Sequence, residues 1–429
     1  MKKGQLLISF KNTSDWCKHA VFIGFLFSFN LIFSQSVEII KLKNNSPASP
    51  RVITGAEQTA AYLPLIKGKK IAIVANQTST IGTTHLVDSL FSLGIKIKKI
   101  FAPEHGFRGD AGNGDKINNS VDAKTGISIV SLYGKNIKPT KHDLKGVDVV
   151  LFDIQDVGVR FYTFLTTMHY VMEACAEHNK TFIVLDRPNP NGHYVDGPIL
   201  KSEFKSMVGM HPIPLVHGMT LGELAQMIVG EKWINGQKLQ LKIVPVANYT
   251  HNTAYTLPVN PSPNLPTMAS ILLYPSLGLF EGADVSMGRG TDKPFECFGA
   301  PWLKHGNYKF TPQNIPGKAT NPPFMAQECR GVLLTDFAYD YIVSYKHIYL
   351  PWLINMYKEC PQKDKFFNAF FNKLAGTDEL KKQIIEGKSA EQILESWQGG
   401  LFLFLQQRKP YLIYDFDPML GVYPKYNKN

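Results

Sequence analysis

From Lys70 onward, short apolar runs alternate with longer segments of helical periodicity. Ile71-Ala-Ile-Val-Ala75 is apolar throughout, the pattern of a strand buried on both faces of a parallel sheet. The spacing predicts a short helix over 85–93. Ile95-Lys-Ile-Lys-Lys-Ile-Phe101 then reads as a strand, polar at its start and apolar at its end. Further strands are predicted over 128–133, 149–152, 181–185 and 239–246, with a helix over 163–178 between the second and third. A helix over 220–233 opens with Thr220, and Glu223 stands at the capping-box position. Repeated strand–helix–strand units imply an α/β fold with a mostly parallel sheet and helices on both faces.

Near residue 305 the texture changes. Lysines and aromatics increase and strands become sparse. Residues 339–357, 365–375 and 390–405 read as helical, and Tyr411-Leu-Ile-Tyr414 as a closing strand. The expected organisation is a sheet domain over 61–300 followed by a smaller α+β domain over 301–429. Residues 36–60 are polar and proline-containing, and read as a linker.

The first 35 residues stand apart. Lys2, Lys3, Lys11 and Lys18 precede an uncharged run of 14 residues from Ala20 to Phe33. A membrane-spanning helix needs about 20 apolar residues. The segment therefore reads as a signal peptide with a long basic leader, the alternative being an uncleaved anchor. No cysteine follows the run closely, which argues against a lipoprotein. Exported protein of the periplasm or extracellular space is the expectation. Removal of 1–35 takes away four lysines and Asp15, lowering the net charge from +11 to +8. That excess suits anionic surroundings or simple solubility. No arginine stripe or nucleic-acid motif accompanies it, and no G-x-G-x-x-G follows the first strand, so neither a nucleic acid nor a dinucleotide cofactor is expected. Cys175, Cys297, Cys329 and Cys360 show no C-x-x-C spacing. Cys175 reads as a buried small hydrophobe, and an oxidising compartment would permit a Cys297–Cys329 disulfide.

Chemistry concentrates where strands end. Phe101-Ala-Pro-Glu-His-Gly-Phe-Arg-Gly109 delivers Glu104, His105 and Arg108 directly after a strand, where Pro103 and two glycines prevent its continuation. In open α/β sheets ligands bind at such ends. Two more polar strand ends are Phe152-Asp-Ile-Gln-Asp-Val-Gly158 and Leu185-Asp-Arg-Pro-Asn-Pro190. Glu104 is the leading general acid, since cleavage of a glycosidic bond needs a protonated carboxyl beside the leaving oxygen. A bland reading makes it a turn acceptor. His105 could orient Glu104, bind substrate or be satisfied by backbone. Asp153 and Asp156 could position a water and bind hydroxyls, or ligate a divalent metal with His105, although no tight ligand motif supports the latter. Arg160 suits a carboxylate or pairs with Asp156, and Tyr162 offers a ring and a hydroxyl. Asp186, Arg187 and Asn189 form a rigid loop that either holds a ligand or closes a structural turn. Asn76 is softer, with an Asx turn as its ordinary role. Glu281, Arg289 and Glu296 complete the set, with Arg289 between two glycines and placed to meet an anion.

Several words taken together, Pro103-Glu-His-Gly-Phe107, Ser131-Leu-Tyr-Gly134, Phe152 to Gly158 with Arg160-Phe-Tyr-Thr163, Leu185 to Pro190, His217-Gly-Met-Thr220, Pro261-Ser-Pro-Asn264 and Gly288-Arg-Gly-Thr291, resemble the exo-β-N-acetylmuramidases of the NamZ/YbbC type. The resemblance runs from about residue 65 to the Tyr411 segment. It implies a Rossmann-like domain with a smaller C-terminal α+β auxiliary domain. It implies release of N-acetylmuramic acid from non-reducing ends of peptidoglycan fragments, without a cofactor or an obligatory protein partner, and it makes Glu104 the catalytic glutamate. The lactyl carboxylate of that sugar calls for an arginine, and Arg108, Arg160 and Arg289 are available. Two-carboxylate hydrolysis would pair Glu104 with Asp153 or Asp156, whereas the 2-acetamido group could serve instead as internal nucleophile. The competing readings are a non-catalytic cell-wall sugar binder and a metal-dependent hydrolase.

Overall fold

The computed structural model describes residues 37–39, 51–108, 119–234 and 238–415. The stretch expected to direct export lies outside them. One eight-stranded sheet carries the order β1-β10-β9-β8-β2-β5-β7-β6. Its strands are β1 (Val37–Ile39), β2 (Lys70–Ala75), β5 (Lys96–Ala102), β6 (Ser120–Val121), β7 (Ser128–Ser131), β8 (Val149–Asp153), β9 (Thr181–Leu185) and β10 (Gln240–Val244). Every pairing is parallel except β6 with β7. Thr80–Ile81 and Thr84–His85 form a small hairpin, β3 and β4, just beyond β2.

Strand parity divides the core in two, because alternate side chains point to opposite faces. Ile71, Ile73 and Ala75 of β2, with Leu151 of β8 and Ile183 of β9, pack beneath α1 (Thr59–Ile66) and α2 (Leu86–Ser92). Ala72, Val74, Val150, Phe152, Phe182 and Val184 face the other way, against α3 (Phe164–Glu177) and α4 (Leu221–Gly230). The capping box expected at α4 is formed. Thr220 Oγ1 accepts from the Glu223 amide, and the Glu223 carboxylate accepts from the Thr220 amide.

The second apolar layer does not stop at the sheet domain. It continues through α5 (Met268–Leu277), α6 (Pro351–Glu359), α7 (Phe371–Ala375) and α8 (Ala390–Arg408). The C-terminal part thus shares a core with the first and adds a three-stranded antiparallel sheet, β11 (Cys297–Ala300), β13 (Cys329–Leu333) and β12 (Tyr308–Phe310). Two buried arginines join the parts. Arg160 donates to the carbonyls of Pro198, Ile213, Leu374 and Ala375, and Arg408 to those of His217 and Gly218.

Several local expectations change. Part of the stretch read as a linker is structural: β1 extends the sheet edge, Ile53 bridges to Ala247, and Ala56 is fully buried. The helix expected over 339–357 is broken. A wide turn at Ala338–Ile342 and a left-handed Lys346 (φ 56°) separate it from α6, so that the aromatic side chains can reach a common cluster. The segment expected as a closing strand is a 3-10 turn, Lys409–Tyr411, followed by an extended stretch held by side chains. The Ile413 amide donates to Glu223 Oε1 and the Tyr414 hydroxyl to Asp186. Cys297 and Cys329 are free thiols buried in the small sheet, each pushed up to about 12 by burial.

Burial of imidazoles makes stability depend on acid. Desolvation lowers His169 and His193 to about 4 and His217 to about 3, and holds His211, which hydrogen-bonds His169 at 3.0 Å, well below the ordinary 6.5. Between pH 6.5 and about 4 the unfolded chain therefore binds more protons at these positions, and stability falls as pH falls. Asp156 and Asp186, raised by desolvation to about 7 and about 6, and Asp153, raised by the same cause, act oppositely, because the folded state holds their protons more firmly. The histidines outnumber them. We expect a lower denaturation midpoint at about pH 4.5 than at about pH 7, read by thermal unfolding in matched ionic strength; a flat or inverted profile would contradict the ledger.

Candidate active site

A cleft of about 560 Å³ opens at the carboxyl ends of β5 and β7 and is closed from the other side by the C-terminal part. That size lies within the range of about 300–1,000 Å³ usual for small-molecule sites. Glu104 reaches it because Pro103 ends β5 and the next residues make a tight turn, closed by the Gly106 amide donating to the Pro103 carbonyl at 3.1 Å. His105 and Gly106 are both left-handed, φ 72° and 80°. A non-glycine residue in that region costs on the order of 1 kcal/mol and clusters at functional sites. His105 is held by Ser262, whose hydroxyl lies 3.3 Å from Nε2.

The Glu104 carboxylate meets two hydroxyls. Thr163 is the N-cap residue of α3, yet its side chain makes no cap; Oγ1 donates instead to Glu104 Oε2 at 2.8 Å. Tyr133, just past β7, stands beside Glu104, and burial together with the carboxylate charge pushes its phenol well up. Glu104 is buried but faces the cleft (7% exposed), so its orientation is set by protein while an edge stays open.

Across the cleft stand Glu281 and Arg289. Gly288 and Gly290 flank the arginine at φ 78° and 79°, and a Cβ on either would come within 2.5 Å of a backbone oxygen. Only glycine lets this loop pass, and the loop presents Arg289 over the ring of Phe295, 4.9 Å from its centroid. Nη2 donates to Glu281 Oε1 at 3.1 Å, whereas Nε and Nη1 are buried without a partner among the described residues. Such donors invite a planar anion. Phe161, Tyr162 and Tyr274 make an aromatic wall, and the Tyr162 hydroxyl is tied to the Pro261 carbonyl.

The family model for the N-terminal part of exo-β-N-acetylmuramidase NamZ matches residues 71–269, and that for its C-terminal part matches 272–414. The chain belongs to the NamZ family. It is 40% identical over 393 residues, 87% of this chain and 94% of the other, to peptidoglycan β-N-acetylmuramidase NamZ of Bacillus subtilis (strain 168). A solved DUF1343 family protein from Bacteroides fragilis NCTC 9343 superposes with TM-score 0.80 at 48% identity, covering 86% of this chain and all (100%) of that one. A second DUF1343 family protein from the same organism gives TM-score 0.74 at 26% identity, with the same coverage. The two NamZ models meet between residues 269 and 272, ahead of the division at 300 read from sequence texture, at the start of α5.

Five of the residues nominated from sequence line the NamZ cleft: Glu104, His105, Tyr162, Glu281 and Arg289. The rest are placed elsewhere. Asp153 is fully buried in a two-pronged ion pair with Arg187, Nε to Oδ1 at 2.6 Å and Nη2 to Oδ2 at 3.0 Å. Asp156 turns inward and accepts from the Gly158 amide, and Arg160 binds four carbonyls rather than Asp156 or a ligand. Asp186 organises the start of α4, accepting from Thr220, the Gly222 amide and Tyr414. Asn189 braces its own loop against Met219 and Asn191. Asn76 makes the Asx turn, accepting from the amide and hydroxyl of Thr78. Arg108 leans on Phe107 and pairs with Asp88 and Asp122, and Glu296 receives the hydroxyls of Thr267 and Thr335. Each is a polar group drawn into loop structure because a buried loop must satisfy its own donors and acceptors. A metal site built from Asp153, Asp156 and His105 fails for the same reason.

Sequence reading passed over Tyr133, Thr163, Ser262, Asn264 and Tyr274 as site residues. Tyr133 follows a strand end within a noted motif, and Thr163, Ser262 and Asn264 sit in two others, so position offered a signal for these four. Tyr274 lies in a largely apolar helix and carried none.

One consequence separates the two strand-end carboxylates. Asp153→Ala should destabilise the fold by about 3–5 kcal/mol, since it strands Arg187 in the interior. Turnover per folded molecule should stay within a few-fold of the parent. Denaturant titration with activity normalised to the folded fraction tests this; a stable but inactive variant would return Asp153 to the reaction.

Proposed function

We propose that this chain is an exported exo-acting glycoside hydrolase that removes N-acetylmuramic acid from non-reducing ends of peptidoglycan fragments. The observation that carries the reading is the juxtaposition in one cleft of a carboxyl oriented by the Thr163 hydroxyl, Glu104, with an arginine whose remaining donors have no partner among the described residues, Arg289. Family membership and the activity named for the Bacillus relative support it.

In this reading Arg289 receives the lactyl carboxylate and Glu281 holds the guanidinium in place. The aromatic wall covers a sugar face, and Glu104 donates a proton to the glycosidic oxygen. Glu281 is the other carboxylate among the described cleft residues, and it is engaged by Arg289. Residues 1–35 act as the export signal, which puts the mature enzyme in the periplasm or outside the cell, where the glycan is.

Mass spectrometry of products from peptide-free peptidoglycan saccharides ending in N-acetylmuramic acid or in N-acetylglucosamine tests the specificity. Release of free N-acetylmuramic acid from the first set alone is expected; equal release from both, or none, would overturn it. N-terminal sequencing of protein recovered from the producing cells tests export, with a start near residue 36 expected.

A further inference from the structure

A second cavity, about 460 Å³, lies over the carboxyl ends of β2, β9 and β10, on the far side of the loop that forms one wall of the catalytic cleft. Thr253 to Pro258 line this cavity, whereas Ser262 to Leu265 of the same loop line the cleft. Gln77 pins the stretch between them, donating to the carbonyls of Asn260 and Pro261. The cavity lies next to the boundary between β2 and β8, where the chain's progress across the sheet reverses direction. In open α/β sheets that is the preferred place for a ligand.

The floor of the cavity is Arg187. Its side chain is only 3% exposed. Nε and Nη2 are committed to Asp153 and the Thr80 carbonyl, while Nη1 makes no hydrogen bond to any described residue. Around it stand Tyr255, Thr54 and the Arg51–Glu57 pair. The guanidinium is thus fixed by its ion pair and offers one unused donor edge to a roomy, polar, partly aromatic chamber. We propose that this cavity binds a carboxylate carried on a peptide- or sugar-sized body, with Arg187 as the receptor and Arg51 at the mouth.

The inference rests on the muramidase reading for its sources of such a group. Peptidoglycan fragments carry carboxylates on stem peptides or, where no stem is attached, on the lactyl group. In the order β9-β8-β2-β5, Arg187 and Glu104 follow strands three steps apart, roughly 14 Å at about 4.8 Å per step. An extended peptide of four residues spans about 13–14 Å. A stem of that length, joined as an amide to the lactyl carboxyl of a sugar in the first cleft and so offering Arg289 a carbonyl in place of a carboxylate, has the reach to place its terminal carboxylate on Arg187.

The test uses Ala254→Trp, because Ala254 is an exposed residue of the cavity rim whose enlargement fills the chamber without touching the buried ion pair. Calorimetric titration with the dipeptide L-alanyl-γ-D-glutamate should show binding to the parent and at least tenfold weaker binding to the variant if the stem is the source. If the lactyl group is the source, N-acetylmuramic acid should titrate two sites in the parent and one in the variant, with no dipeptide signal. Turnover of a small chromogenic N-acetylmuramic acid glycoside should stay within twofold in the variant. Identical titrations of parent and variant with both probes would overturn the proposal. Loss of turnover by the parent itself would instead strike the muramidase reading, since carboxylate binding is read separately.

Discussion

Replacing Glu104 by glutamine should lower kcat on a chromogenic β-N-acetylmuramic acid glycoside by about 10²–10⁴-fold, the usual contribution of a positioned general acid. KM should move by no more than a few-fold, and the thermal midpoint should stay near that of the parent. The amide keeps the shape of the carboxyl and its oxygen can still accept from Thr163 Oγ1, so the turn after β5 is not disturbed. What is lost is the transferable proton. Steady-state kinetics on folded protein decide the matter, and turnover within threefold of the parent would take Glu104 out of the acid role.

Arg289 should govern which sugar is accepted. Arg289→Lys retains a cation beside Glu281 but loses the fork, and Arg289→Ala loses both. A charge-assisted hydrogen bond contributes about 1.5–3 kcal/mol, so kcat/KM toward N-acetylmuramic acid glycosides should drop about 10- to 100-fold in the alanine variant. The matching N-acetylglucosamine glycoside has no lactyl group, and its slow turnover should barely change. The informative quantity is the ratio of the two specificities. If that ratio is the same in parent and variant, Arg289 is not the carboxylate receptor and its open donors serve something else.

Much of the fold was legible in the chain. Continuous apolar runs such as Ile71–Ala75 report burial on both faces, and a parallel sheet is the arrangement that provides it. Thr220 and Glu223 announced the start of α4 through purely local chemistry, and the structure forms that box. Glu104 was legible for a related reason: proline and glycine end a strand locally, and strand ends in this fold open onto ligand space. The remaining nominated carboxylates looked alike in sequence. Asp153 and Glu104 both follow apolar strands, yet one is sealed by Arg187 and the other looks into the cleft. The partner that distinguishes them comes from 34 residues away in one case and 59 in the other. No local pattern encodes that choice.

The C-terminal part shows the limit most clearly. Tyr411 to Tyr414 has the composition of a strand, but it pairs with no strand among the described residues. Its hydroxyl and amide groups satisfy Glu223 and Asp186 instead. Residues 339–357 have helical spacing, but packing the aromatics into one cluster demands a break at Lys346.

What the sequence determined by itself was the strand–helix alternation of the sheet domain, its mostly parallel character and the family, because periodicity, caps and strand-ending turns act over a few residues and survive in the one-dimensional record. What only the tertiary structure decided was which charged groups face the cleft and which are locked in loops. That depends on partners brought together by the sheet and by the shared second core. A buried charge takes its role from the group it meets, and those meetings exist only once the chain has folded.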